Sequence, residues 1–212
     1  MTSKLLSLNP EKQERILNAA LKEFAQKGYE NASTNEIVKS AGISKGLLFH
    51  YFKNKKELYL FLYNHFAEVL SEEFFQELDF TERDIFERLK NLMILKSRLM
   101  ARHPEIFDFM MSVSMESSAD VKENLNNTTT ELMHHSYSKL FDNIDLEKFR
   151  EGTDIQRTIN IILWTLQGFS SQELEKAKRL NKGLDDFDEA FQEAEVYINM
   201  MKKAFYKSEI TK

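Results

Sequence analysis

The residues from Ser33 to Leu58, STNEIVKSAGISKGLLFHYFKNKKEL, carry the most specific chemistry in the chain, and it is the chemistry of holding an anion rather than of catalysis. Lys45, Lys53, Lys55 and Lys56 crowd together with no acidic side chain between Ser44 and Lys56. Asn54 and Glu57 have the spacing of a capping box, so Lys55 and Lys56 should occupy the first turn of a helix, where a cation opposes the helix dipole by ~0.3–1 kcal/mol. A phosphate at that helix end would be stabilised by dipole and lysine together, which predicts a polyanionic partner. Gly46 stands inside a short helix at a cost of ~1 kcal/mol against alanine, as expected where something approaches the backbone closely. Leu47, Phe49 and Tyr51 cannot all turn inward with Leu48 and Phe52, so part of that helix is expected to be covered. Each feature alone fits an ordinary solvated helix, a lysine run or a stray exposed aromatic. Together, at this spacing, they point to DNA.

The elements that must position these residues can be read from caps and spacing. Ser33 and Glu36 form a capping-box pattern that should open a helix at Thr34, with Ile37 and Ala41 on its inner face. Gly42 ends that helix, and Gly42, Ile43 and Ser44 form a turn that N-caps a second helix running from Lys45 to about Phe52, a helix-turn-helix. Ile37, Ala41, Ile43, Leu48 and Phe52 should share one small core. Upstream, Asn9 and Pro10 supply an N-cap and a first-turn proline for a helix whose inner stripe is Ile16, Leu17, Ala20, Leu21 and Phe24, closed by Gly28. Met1 to Leu8 has no periodicity and reads as a mobile arm bearing Lys4.

With those elements assembled, the segment from Ile16 to about Leu62, AALKEFAQKGYENAST followed by EIVKSAGISKGLLFHYFKNKKEL, resembles the N-terminal DNA-binding domain of the tetracycline-repressor (TetR) family. The resemblance implies an all-α protein with a three-helix helix-turn-helix domain, residues 1–54, and a larger helical ligand-binding and dimerisation domain, residues 55–212. It further implies a homodimer that binds a palindromic double-stranded DNA operator and releases it when a small molecule binds. The family's DNA contacts carry over onto Thr34, Asn35, Lys45, Gly46, Leu47, Phe49, Tyr51 and Lys55. Three positions depart from the family pattern. Phe49 stands where tyrosine is common and lacks its phosphate-bonding hydroxyl, Val38 replaces an alanine, and Leu47 replaces a threonine, so that position can meet a thymine methyl but not a hydrogen-bonding base edge.

The rest of the chain bounds the alternatives. It has 212 residues, 42% of them hydrophobic, enough for one sizeable core or a small domain joined to a larger one. Two prolines, six glycines and apolar spacings of three and four favour helices throughout. The absence of cysteine excludes disulfides and thiolate zinc sites. No signal peptide is recognisable, and the longest apolar run, Ile159 to Leu166, is interrupted by Asn160 and far short of the ~20 residues that span a bilayer, so a cytoplasmic protein without a membrane partner is expected. The net charge of −5 is unevenly spread. Residues 1–60 hold ten basic against six acidic side chains, while the remainder carries a net −9. A positive module on an acidic body can dock on phosphate while the body limits non-specific adhesion.

Beyond Lys55 a helix should run unbroken to about Leu78, ~35 Å long, as a transmission rod. Further helices are expected over Glu82–Arg102, Pro104–Glu116 and Ala119 to about Asn143. Thr153 and Gln156 should cap one running to about Leu180, and Asp185 one reaching Phe205. In the last, Phe187, Phe191, Ala194, Ile198, Met201 and Phe205 form a seam that reads as core or as half of a helix-packed interface. The resemblance assigns these two helices to a four-helix dimer interface. Phe107, Met110, Met111 and Met115, with Met133, His134, Tyr137, Trp164 and Gln167, read either as plain core or as a pocket for an apolar inducer of unknown identity. No nucleophile, phosphate-loop or paired-carboxylate motif supports an enzyme or a cofactor. Glu131 and His135, one turn apart, lack a third metal ligand. An architectural DNA-binding protein of the same fold without an inducer, and a helical enzyme or carrier with an incidental basic head, are the alternative classes.

Overall fold

A computed structural model describes residues 5, 8–180 and 188–208. The side chains of residues 131–138, 178, 180 and 188 are outside the described set, as are Lys4, Asp185, Asp186 and Phe187. The fold is all-α: α1 (Pro10–Asn31), α2 (Thr34–Ala41), α3 (Lys45–Tyr51), α4 (Lys55–Glu77), α5 (Ile85–Arg102), α6 (Pro104–Ser114), α7 (Ala119–Leu140), a 3-10 turn (Leu146–Lys148), α8 (Ile155–Leu180) and α9 (Asp188–Phe205).

Packing divides the chain into two compact units, residues 1–73 with 101–133, and residues 74–100 with 134–212. This division falls elsewhere than the boundary expected between residues 54 and 55. The reason is burial. Leu58, Tyr59, Leu62, Tyr63 and Phe66 of α4, Phe109 and Val113 of α6, and Val121 and Leu125 of α7 join the same core as Ile16, Ala20, Phe24, Ile37 and Leu48. Tyr59 lies at its centre, its ring edge-on to Phe24 at 4.9 Å and Phe109 at 5.6 Å. Leu5 is also buried there, so the stretch expected as a mobile arm has at least one anchored residue.

In the first unit, α1 is broken at Gly28, whose φ of 66° and ψ of −179° favour glycine. The chain then continues helically to Asn31, so Gly28 marks a kink and not the expected end. Asn9 caps α1 as expected, accepting from the Glu11 N–H at 3.0 Å. Ser33 flanks α2 but its side chain makes no capping bond, contrary to the expected capping box; the Ser33 N–H instead donates to Glu23 of α1 at 2.9 Å. A carboxylate already facing the end of α1 wins over the local one on α2. At α4 the expected box forms with one shift: Asn54 accepts from the Glu57 N–H at 2.8 Å, and Glu57 reaches back to the Lys53 N–H at 3.0 Å.

The second unit is knotted by Arg88 and Asp84. Arg88 is almost wholly buried, and its guanidinium donates to the carbonyls of Glu82 (2.9 Å), Leu140 (2.7 Å) and Asp142 (2.8 Å). Its position on the inner face of α5 therefore closes the loops before α5 and after α7. Asp84, and not Glu82, caps α5 through the Phe86 N–H at 2.9 Å, which moves the helix start to Ile85. Its other partners are Lys148 (3.0 Å), Lys202 (3.2 Å) and the Tyr206 hydroxyl (3.1 Å), joining the end of α9 to the start of α5. At α8 the cap is Asp154, accepting from the Arg157 N–H at 3.0 Å, in place of the expected Thr153.

Two consequences can be measured. Arg88→Met conserves bulk but orphans several buried carbonyls at ~1–3 kcal/mol each, so urea denaturation should show a loss of ~3 kcal/mol or more. Burial pushes the Asp84 carboxyl up, but hydrogen bonds from Lys148, the Glu87 backbone and Lys202 outweigh it and hold the group below its ordinary range. A carboxyl depressed on folding stabilises above its unfolded pKa of about 4, and that contribution is lost as pH falls through the folded value. Asp84→Asn should accordingly lower stability at pH 7 and flatten its decline on acidification below about pH 4. An unchanged acid limb in the variant would show that Asp84 does not carry the dependence.

Candidate nucleic-acid interface

The helix-turn-helix follows from three local facts. Gly42 takes the left-handed conformation, φ 66° and ψ 39°, and donates to the Lys39 carbonyl, which stops α2. Ser44 caps α3, its hydroxyl accepting from the Leu47 N–H at 3.2 Å. Ile37, Ala41, Leu48 and Phe52 are then buried, as their spacing predicted, with Ile43 half-buried beside them.

This packing sorts the outer residues of α3. Lys45, Gly46, Phe49 and His50 are exposed, Leu47 is half-buried, and Tyr51 packs partly on the core with its ring edge-on to His50. A Cβ at Gly46 would meet nothing within 4 Å, so no neighbour within the chain demands glycine there. On α2, Asn35 is exposed and Thr34 half-buried. Six of the eight expected DNA-contact residues thus retain accessible surface near the N-terminal ends of α2 and α3, and Tyr51 offers the outer part of its ring. His50, between Phe49 and Tyr51, is exposed beside them.

Lys55 is different. Its ammonium donates to the carbonyls of Glu30 at 2.9 Å and Ala32 at 3.2 Å, and lies 4.8 Å above the Tyr29 ring. Lys56 is 3.4 Å from Asp120. The cost of two cations in the first turn of α4 is therefore offset within the chain, where orphan carbonyls and a negative helix end draw them in. The same junction holds Tyr29, whose N–H donates to Glu116 at 2.8 Å and whose hydroxyl donates to Asp120. Burial and Asp120 together push the Tyr29 hydroxyl well up, so it stays a donor. Glu116 and Asp120 gave no sequence signal, since they lie 87 and 91 residues from Tyr29.

The expected inducer residues are less concentrated. Phe107, Met110, Met111 and Met115 are half-buried in the first unit, whereas Trp164 and Gln167 belong to the second. Trp164 is 67% exposed on α8, so the subunit does not enclose it in an internal pocket. Met133, His134 and Tyr137, like Glu131 and His135, are among the side chains outside the described set.

Three-helix head, helix-turn-helix and accessible α3 define a DNA-binding transcriptional regulator. Residues 16–62 match the family model for bacterial regulatory proteins, tetR family. The head is 46% identical over 58 residues to the uncharacterized HTH-type transcriptional regulator YuxN of Bacillus subtilis, a match spanning 27% of this chain and 20% of that protein. The chain is 27% identical over 169 residues to the transcriptional repressor AcnR of Corynebacterium glutamicum, covering 75% of this chain and 80% of AcnR. A complex of SmeT, repressor of the Stenotrophomonas maltophilia multidrug efflux pump, with triclosan matches with a TM-score of 0.67 at 21% identity, over 96% of this chain and 95% of that one. Residues 16–62 thus belong to the DNA-binding domain of the tetR family of bacterial regulatory proteins, and the chain as a whole shares the fold of solved members of that family.

The geometry of Lys55 separates two roles. Lys55→Met should lower the thermal midpoint, since carbonyls at the end of α1 lose a charged donor worth ~1.5–3 kcal/mol, and weaken DNA binding as well. Lys45→Ala, at an exposed position, should change stability by less than ~0.5 kcal/mol while weakening DNA binding. Circular-dichroism melts and salt titrations of DNA binding test this; an unaltered melt for Lys55→Met would discount its role at α1.

Proposed function

We propose that this protein is a ligand-responsive repressor that binds a palindromic operator as a homodimer in the cytoplasm and is released by a small, largely apolar molecule. The observation that carries the reading is the outward face of α3, where Lys45, Gly46 and Phe49 stand exposed on a net-positive head. Thr34 and Asn35 at the start of α2, with Leu47, Tyr51 and Lys55, complete the proposed DNA contacts. Two recognition helices related by a twofold axis would enter successive major grooves ~34–36 Å apart.

The homodimer reading is supported by large apolar side chains left exposed on α8 and α9. Ile161 and Trp164 on α8, and Val196, Tyr197 and Met200 on α9, are exposed large hydrophobics at helical spacing. Of the two readings of the α9 seam, core or half of an interface, burial favours core: Ala194, Ile198 and Met201 are buried within the subunit, with Phe191 half-buried. The proposed interface is thus displaced around α9. For the inducer, half-buried Phe107, Met110, Met111 and Met115 of the first unit are the proposed contacts; the SmeT complex with triclosan is a precedent for a ligand on this fold.

Selection from random DNA should return a palindrome, and loss of symmetry in the selected sites would count against the dimeric reading. Sedimentation velocity should show Trp164→Glu combined with Met200→Glu as a monomer with intact helix content and at least ~10-fold weaker operator binding, because one half-site contact is lost. A variant that still sediments as a dimer would place the interface elsewhere.

A further inference from the structure

The end of α9 gathers four lysines around one cleft. Lys202 and Lys203 lie in the last turn of the helix, where a cation suits the negative end of the dipole, and that alone would explain them. Lys148 belongs to the 3-10 turn and Lys207 follows α9, so neither has that reason to be there. The backbone brings them in. Phe149 forms an antiparallel bridge with Tyr206, the Lys207 N–H donates to the Lys148 carbonyl at 2.9 Å, and the Arg150 N–H donates to the Phe205 carbonyl at 3.0 Å. That register sets Lys148 opposite Lys207, a like-charge pairing that destabilises paired segments. The Arg150 guanidinium holds the arrangement, donating to the carbonyls of Lys203 at 2.8 Å and Tyr206 at 2.9 Å. The four lysines, Asn199 and Ser208 line a cleft of about 700 Å³, within the ~300–1,000 Å³ of small-molecule sites; Asp84 is its one acidic lining residue.

The charges of the cleft do not cancel. Asp84 is shared by Lys148 at 3.0 Å and Lys202 at 3.2 Å, and Glu87 also takes Lys202, at 2.6 Å. Lys203 and Lys207 are exposed, and among the described residues neither ammonium has a carboxylate partner. Four ammonium groups against two carboxylates leave the site positive, although residues 61–212 carry a net −9. A cleft lined by one sign of charge concentrates counter-ions, while the acidic body around it repels an extended polyanion, so a compact anion fits best. Ammonium groups are point charges with rotatable donors, suited to tetrahedral phosphate, whereas a carboxylate is better met by the planar fork of arginine. The fork of Arg150 is already taken by backbone carbonyls. Asn199, one turn before Lys203, adds a neutral donor on the same side of α9. We propose that this cleft binds the di- or triphosphate group of a small molecule, whether a nucleotide or free polyphosphate. The site is separate from the outward face of α3 and from the apolar inducer contacts, and it rests on neither reading.

Inorganic phosphate, tripolyphosphate, ATP and citrate, titrated onto the full chain by calorimetry without divalent cations, test this. Tripolyphosphate should bind at least ~10-fold more tightly than phosphate or citrate, the size of one added charge-assisted hydrogen bond. ATP bound more tightly than tripolyphosphate identifies a nucleotide, and ATP bound no more tightly identifies the phosphate chain as the whole determinant. Lys203→Gln combined with Lys207→Gln, both at exposed positions, should leave the melt of the ligand-free protein unchanged and weaken tripolyphosphate binding at least ~10-fold. Because the head is also basic, Lys45→Gln combined with Lys53→Gln is the control, and it should retain the wild-type tripolyphosphate affinity. Unchanged affinity in the cleft variant, loss of binding in the head variant, citrate bound as tightly as tripolyphosphate, or no binding of any phosphate probe would each overturn the proposal.

Discussion

The end of α1 is the constraint on which the head depends. Helix α1 breaks at Gly28, and α2 begins at Thr34, so the intervening backbone must be satisfied without helical bonds. Charged side chains from three directions meet that need. Glu116 accepts from Tyr29, Glu23 accepts from Ser33, and Lys55 donates to Glu30 and Ala32. Because α2 and α3 follow directly, the direction in which α3 faces outward is set at this junction.

The junction also explains why α4, α6 and the start of α7 pack as part of the head. Lys55 and Lys56 begin α4, Glu116 follows α6, and Asp120 opens α7; the aromatic contacts of Phe24, Tyr29, Tyr59 and Phe109 lie beneath them. Hydrogen bonds to a charged partner contribute ~1.5–3 kcal/mol each, and ligand-to-DNA couplings are typically ~1–3 kcal/mol. Rearranging one such bond therefore matches the scale on which a regulator must act, whereas unpacking the aromatic core beneath would exceed it.

In the second unit Arg88, buried on the inner face of α5, is a structural cation. It is saturated by backbone carbonyls and ties together the loops before α5 and after α7. In the same unit, α8 and α9 sort their hydrophobics into two sets. Ala194, Ile198 and Met201 fill the interior, and Val196, Tyr197 and Met200 stay outside. A helix apolar on two sides has one side more than its own subunit needs.

The sequence by itself determined the helical class, the caps at Asn9, Ser44 and Asn54, the turn at Gly42 and the inner stripes of α1 to α3. All of these depend on residues a few positions apart, where periodicity and short side-chain reach decide the outcome. Tertiary structure alone decided which carboxylate satisfies Ser33, because Glu23 competes with Glu36 only once α1 and α2 are packed. It turned Lys55 from an apparently free cation into one shared with the end of α1, and it showed which of two apolar faces of α9 is interior. The same holds for Glu116, Asp120 and Asp84, unremarkable as isolated acids: their partners arrive from distant parts of the chain, and charge pairs of long range leave no period to read.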